Sequence, residues 1–233
     1  FFTSVNGTKL TVSNYKSLLV DPDSYTLDFA DYNGTAFVLN GKSVALTKTV
    51  LEENPIFINK VITSGSHKIG YLMYNGFYAE YDAKLNEAFG VLQKQGVTDL
   101  VLDLRYNGGG SLETAVALAG MINGNYSGSP YVFLDFNNKH NSEDGFDYLS
   151  NQVNTYSLVN NRPEKSGTQT INSLNLTKVY VLVNFQTASA SELTVQCLKK
   201  YVNVVTIGYD TVGKFVGSIT LYDSPAQDYT SYT

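Results

Sequence analysis

The sequence predicts an α/β fold preceded by a β-rich segment, and three observations carry that expectation. From Tyr78 onward the apolar period changes from two residues to about 3.6, which gives a strand–helix–strand–helix rhythm. The run Leu100-Val101-Leu102-Asp103-Leu104 is nearly continuously apolar, the pattern of a strand in a sheet covered on both faces. Ahead of residue 47, asparagine–glycine pairs sit between alternating apolar runs, as hairpin turns do.

Each element follows from its own residues. Phe1 to Val5 reads as a strand already under way, and the pairs Asn6-Gly7, Asn33-Gly34 and Asn40-Gly41 read as turns. Ser13 to Leu19 can form a short helix. Tyr25, Leu27 and Phe29 alternate with Thr26 and Asp28 as a half-buried strand does. Two strands, Ile56–Ile62 and Ile69–Tyr74, flank the turn Ser64-Gly65-Ser66. Leu85, Phe89 and Leu92 then share one face of a helix that Gly96 stops. After the strand at 100–104 and the glycine run 108–110, Ser111 opens a second helix through Ile122. Residues 123–177 are polar and read as a surface excursion with one strand at Tyr131–Phe136. The rhythm resumes with strand Val179–Val183, helix Ala190–Tyr201, strand Val202–Ile207, a loop at 208–213 and strand Val216–Tyr222.

Composition narrows the function classes. Hydrophobic residues make up 43% of the 233 and charged residues 16%, enough apolar content for a packed core. The net charge is −5 and the 16 basic residues are scattered, so no nucleic-acid partner is expected. No His, Cys and acid set has metal-ligand spacing, so neither metal nor cofactor is expected. The lone Cys197 reads as a small apolar residue on the buried side of its helix. No apolar run approaches the roughly 18–20 residues that span a bilayer.

Three segments at strand ends can carry chemistry. They are Asn107-Gly108-Gly109-Gly110, Thr187-Ala188-Ser189-Ala190-Ser191-Glu192 and Gly213-Lys214. Loops at the carboxyl ends of strands converge in an α/β sheet, so the three can share one crevice. Ser189 lies where a strand gives way to a helix. It can cap that helix, or it can act as a nucleophile beside N–H groups that stabilise an oxyanion. A nucleophilic serine needs a base. His67 in a tight turn and His140 in the polar excursion are not placed for that role. Lys214 can take a proton only as the neutral amine, which needs an apolar setting that Val212, Phe215 and Val216 could supply. By default it is a solvated loop residue. The glycine run lets a backbone approach a ligand, but it is neither a nucleotide-binding GxGxxG nor a Walker loop. No GxSxG elbow surrounds any serine.

Taken together, the segments Leu100–Gly110, Val181–Glu192 and Ile207–Lys214 resemble the C-terminal processing peptidases, or tail-specific proteases. The separation 214 − 189 = 25 agrees with that family's serine–lysine spacing. The resemblance implies a Clp-protease/crotonase-like catalytic domain over residues 47–233 and peptide-bond hydrolysis through an acyl-enzyme. Ser189 would attack, Lys214 would serve as general base, and N–H groups of Ala190 and of Gly109 or Gly110 would hold the oxyanion. Asp103 and Arg105 would shape the strand end. Many members carry Gln four residues after the lysine to orient it; here that position is Ser218, whose hydroxyl can still bond an amine. Residues 1–46 resemble the latter half of a PDZ domain, a module that binds peptide C-termini by strand addition. The resemblance thus implies truncation at both ends, polypeptide substrates held by their C-terminal region, and export to the cell envelope or periplasm. A catalytically silent peptide-binding relative and a crotonase-like acyl-transfer enzyme are the rival readings.

Overall fold

Asn6 and Gly7 adopt φ of 50° and 74°, the conformation that closes a tight hairpin between strands β1 (Phe2–Val5) and β2 (Thr8–Lys9). The computed structural model describes residues 1–49, 51–159 and 162–218, in two units, Phe1–Glu53 and Asn54–Thr233. The first unit continues with a single five-residue helical turn at Lys16–Val20, where a short helix was expected. Strands β3 (Ser24–Tyr32) and β4 (Phe37–Thr47) follow, and the antiparallel sheet has the order β2-β1-β3-β4. Asn33-Gly34 joins β3 to β4 as expected. Asn40-Gly41 does not form a turn. Asp28 pairs Ser43 while Ala30 pairs Leu39, so the pair sits in a bulge within β4, where the extra residues are absorbed without ending the strand.

The second unit is built on a five-stranded sheet. β5 (Ile56–Ser64) and β6 (His67–Tyr74) form an antiparallel hairpin, and helix α1 (Asp82–Lys94) leads to β7 (Asp99–Asp103). Helix α2 (Leu112–Ile122) comes next, its first turn capped by the Ser111 hydroxyl accepting from the Thr114 N–H. Strands β8 (Pro130–Leu134), β9 (Gly145–Tyr148), β10 (Gln152–Val159) and β11 (Arg162–Thr170) precede β12 (Lys178–Val183), helix α3 (Ala190–Leu198) and β13 (Asn203–Gly208). The sheet order is β13-β12-β7-β6-β5, with β6, β7, β12 and β13 mutually parallel. Their carboxyl ends therefore open on one edge.

Burial explains why these elements hold together. Leu100 and Leu102 of β7 and Val179, Val181 and Val183 of β12 are buried with Leu85, Phe89 and Leu92 of α1 and Leu118 and Met121 of α2. Val195 and Leu198 of α3 join the same cluster. The other face is only half-covered, since Val101 and Tyr180 remain partly exposed; the expectation of a sheet sealed on both faces is corrected. The span 123–177 is corrected too. It is two hairpins, β8 with β9 and β10 with β11, whose Tyr131, Leu149 and Val153 reach the core. Among the described residues no helix is long and apolar enough to cross a membrane.

Candidate active site

Asn107 organises the crevice at the carboxyl edge of the sheet. It is fully buried, its Nδ2 donating to the Tyr74 carbonyl at 2.9 Å and its Oδ1 accepting from the Gly109 N–H at 2.9 Å. Its own carbonyl accepts from the Ala188 N–H at 3.2 Å and the Ser191 hydroxyl at 3.0 Å. One residue thus staples the loop after β7 to both β6 and the turn between β12 and α3. The Thr187 hydroxyl adds a second staple, donating to the Leu104 carbonyl at 2.9 Å.

The glycines are required by contact. A Cβ on Gly109 would lie 2.7 Å from Ser189 Cβ and 2.9 Å from the Ala188 carbonyl, and φ is +103°. A Cβ on Gly110 would lie 2.2 Å from the Phe77 carbonyl, because Gly110 bridges Phe77 in a short parallel contact. The structure therefore puts the glycine loop directly against Ser189. It also differs from the sequence reading in one respect: the Gly109 N–H is engaged by Asn107. The N–H groups of Gly110 and Ala190 have no hydrogen-bond partner among the described residues.

Ser189 itself has φ +56° and ψ −120°, a backbone conformation that non-glycine residues adopt at a cost of about 1–3 kcal/mol. Five bonds enforce it. Ala188 and Ser191 are held as described, with the Ser191 N–H also reaching the Ala188 carbonyl at 3.1 Å; the Ser189 carbonyl accepts from Leu193 at 2.9 Å, and the Ser189 N–H donates to Glu192 Oε2 at 2.8 Å. Ser189 is half-buried at the positive end of α3.

Glu192 is the residue that sequence reasoning undervalues, since it enters there only as the end of the serine segment. Its Oε1 accepts from the Thr211 hydroxyl at 2.6 Å and the Gly213 N–H at 2.6 Å, and its Oε2 accepts from the Lys214 N–H at 2.9 Å besides Ser189. Partial burial alone would raise its pKa; the donors Thr211, Gly213, Ser189 and Lys214 overcome that and hold it below the ordinary glutamate value. One carboxylate thus ties the serine turn to the lysine loop. The Val212 N–H, donating to the Thr187 carbonyl at 3.0 Å, adds a second tie.

Lys214 and Ser218 are placed differently from expectation. Both side chains are exposed, and no hydrogen bond joins the Lys214 amine to the Ser189 hydroxyl. Val212, Phe215 and Val216, expected to cover the lysine, are exposed as well. The physical reason is that residues 209–218 form neither helix nor strand, so no element presses these side chains onto a core. The strand expected at 216–222 is absent over 216–218, and its remainder lies outside the described residues. Asp103 and Arg105 are structural, as expected: buried Asp103 accepts from Arg105 Nε and Nη2 at 3.0 and 2.7 Å and from the Tyr71 hydroxyl at 2.6 Å. His67 and His140 lie away from the crevice, paired with Asp99 and Glu143.

A strained serine at a helix start, with a glycine loop against it and a lysine loop tied to it, is the arrangement that the sequence comparison addresses. The family model for peptidase family S41 matches residues 68–227, more than half of the chain. The chain belongs to peptidase family S41. Among relatives of this S41 chain, the carboxyl-terminal-processing protease of Picosynechococcus sp. is 26% identical over 173 residues, covering 74% of this chain and 35% of that protein. The chloroplastic C-terminal processing peptidase of Tetradesmus obliquus is 29% identical over 184 residues, 75% of this chain and 34% of its own. The S41 chain thus spans about a third of the length of these two relatives. Among solved structures, a Bacteroides fragilis protein assigned to the S41 proteases matches with a TM-score of 0.68 at 28% identity, over 97% of this chain and 57% of that one. The photosystem II D1 C-terminal processing protease matches with a TM-score of 0.50 at 25% identity, over 91% and 52%. The mixed α/β fold expected from sequence is the fold of this family.

Proposed function

We propose that the chain carries the catalytic centre of a serine endopeptidase that cleaves unfolded or C-terminally tagged polypeptides through an acyl-enzyme. The observation that carries this reading is the Glu192 carboxylate, which holds the N–H groups of Ser189 and Lys214 on the same oxygen.

In the proposed reaction the Ser189 Oγ attacks the scissile carbonyl carbon as its proton passes to the neutral Lys214 amine. The oxyanion takes the unpartnered N–H groups of Ala190 and Gly110, held at fixed positions by the Asn107 staple. Collapse breaks the C–N bond, and the Lys214 ammonium returns its proton to the leaving amine. Water, deprotonated by the same amine, then releases the acyl group and restores Ser189. The substrate lying across Lys214 supplies the apolar cover that the amine lacks in the free chain. The Ser218 hydroxyl orients the amine in that complex. Residues 1–46, within the first unit, are in this proposal the latter part of a PDZ-like module that presents the substrate's C-terminal region, and export to the cell envelope goes with the same kinship.

The test uses the full-length gene product on an unfolded protein beside Ser189→Ala and Lys214→Ala. Loss of several orders of magnitude in both variants is expected, while equal activity in all three would sink the serine–lysine assignment. The exposure of Lys214 favours one competing reading, a catalytically silent peptide-binding relative. That reading requires no cleavage by the wild type at all.

A further inference from the structure

Three large aromatic side chains stand exposed at the carboxyl ends of three adjacent parallel strands. Tyr106 follows β7, Phe185 follows β12 and Tyr209 follows β13, with exposures of 59%, 72% and 81%. The strands are consecutive neighbours in the sheet, and their register pairs Val183 with Gly208 and Leu182 with Asp103. The three rings therefore leave the sheet within a residue or two of one level. The core is closed beneath them by buried Leu104 and Val183, so packing does not account for them. None of the three rings stacks on another aromatic ring or a cation among the described residues.

The three residues belong to the loops that carry or touch the Ser189 turn. Phe185 lies four residues before Ser189 in the same connection, Tyr106 lies three before Gly109, and the Tyr209 loop is tied to Thr187 through Val212. Neighbouring strands lie about 4.8 Å apart, so three strand ends span roughly 10 Å, the length of about three residues of extended chain. The cation beside Tyr106 is committed, since Arg105 is held by Asp103. The three rings are the apolar part of this surface, beside exposed Gln186 and Asp210.

We propose that Tyr106, Phe185 and Tyr209 form a side-chain subsite that selects extended segments carrying large apolar or aromatic residues next to the scissile bond. The inference rests on the peptidase reading for its substrate and deepens it. Folded proteins bury such side chains and unfolded ones expose them, so this row makes the site selective for unfolded chains without any contact to a tag.

The experiment separates the two claims. Full-length Ser189→Ala protein is titrated by fluorescence anisotropy with a labelled unstructured decapeptide holding three Phe, and with the same peptide holding Ser instead. The Phe peptide should bind at least about tenfold more tightly. Phe185→Ala in that background should lose most of the preference, and Phe185→Leu should retain it. Because all three side chains are exposed, the variants should melt with the parent, which is checked by circular dichroism. Equal affinity for the two peptides would overturn the subsite, as would a preference that survives in the Tyr106→Ala, Phe185→Ala, Tyr209→Ala triple variant. A Phe preference in Ser189→Ala protein, when the protein with Ser189 intact cleaves nothing, would leave the subsite standing and remove the hydrolytic reading instead.

Discussion

A carboxylate that accepts four hydrogen bonds has no neutral substitute, and Glu192 is the residue where this matters most. Each of its oxygens takes two donors. A glutamine would present an NH2 group to one pair, leaving two donors facing a donor. Glu192→Gln should therefore cost about 2 kcal/mol of stability and lower kcat/KM about a hundredfold by loosening the lysine loop; thermal unfolding and peptide cleavage kinetics would read both. The pH sign follows from the lowered pKa. The contribution of Glu192 is complete above the ordinary value of 4.5 and is lost as pH falls below it. Activity of the wild type should thus show an acid limb, and retention of full stability and activity in Glu192→Gln at neutral pH would refute the tie. Residue type and spacing mark Ser189, the glycine run and Lys214 in the sequence; the contact of Gly109 with Ser189 follows that pattern, while the Lys214 amine is exposed and makes no hydrogen bond to Ser189. The work of Asn107 and Glu192 was not legible, because nothing in a sequence says which main-chain groups a buried amide or carboxylate will meet.

At the scale of elements, α1 and α2 meet through a buried acid. Asp82 opens α1, is almost wholly buried, and accepts from the Thr114 hydroxyl of α2 at 2.7 Å. Burial pushes its pKa up to about 7, the Thr114 bond opposes this, and Glu113 and Glu80 add to the rise. The folded chain then holds a proton that the unfolded chain has released above the ordinary value of 3.8. The stability this group contributes is full below 3.8 and is lost as pH rises through about 7, a change on the order of 4 kcal/mol. Asp82→Asn keeps an acceptor for Thr114 and carries no charge. It should flatten the fall in melting temperature between pH 4 and 7 and raise the melting temperature at pH 8; an unchanged pH profile would show that Asp82 does not hold the proton. Elements with strong periodicity were readable: α1 through Leu85, Phe89 and Leu92, and β7 and β12 through their apolar runs. The strands β9, β10 and β11 were not. In β10 only Val153 is fully buried, so polar side chains on both faces leave no period to detect. Asn40-Gly41 misled for a different reason, since a bulge and a turn ask the same conformational freedom of glycine.

For the whole molecule, the boundary between the units falls after Glu53, past the residue-46 limit read from sequence. That limit followed the last strand signal, and β4 does end at Thr47, but residues 51–54 form no helix or strand and are exposed. Exposed connections of this kind are where proteases cut first. Limited digestion with a glutamyl endopeptidase should cleave after Glu53 before any site in α1, giving a fragment from Asn54 onward that retains the helical circular dichroism of the intact chain. Simultaneous cleavage within α1 would show that the second unit does not hold its fold alone.

The Asn107 staple has a consequence for how activity can be lost. The cradle that would hold an oxyanion is wired into the interior of the sheet through main-chain atoms, while the segment bearing the amine hangs on one charge and one amide. Damage will therefore fall unevenly. Low pH or a single change at Glu192 releases the lysine loop and one bond to the Ser189 turn but leaves the Asn107 bonds to the glycine loop in place, so under the proposed function inactive forms should still occupy substrates and act as competitors of the active ones.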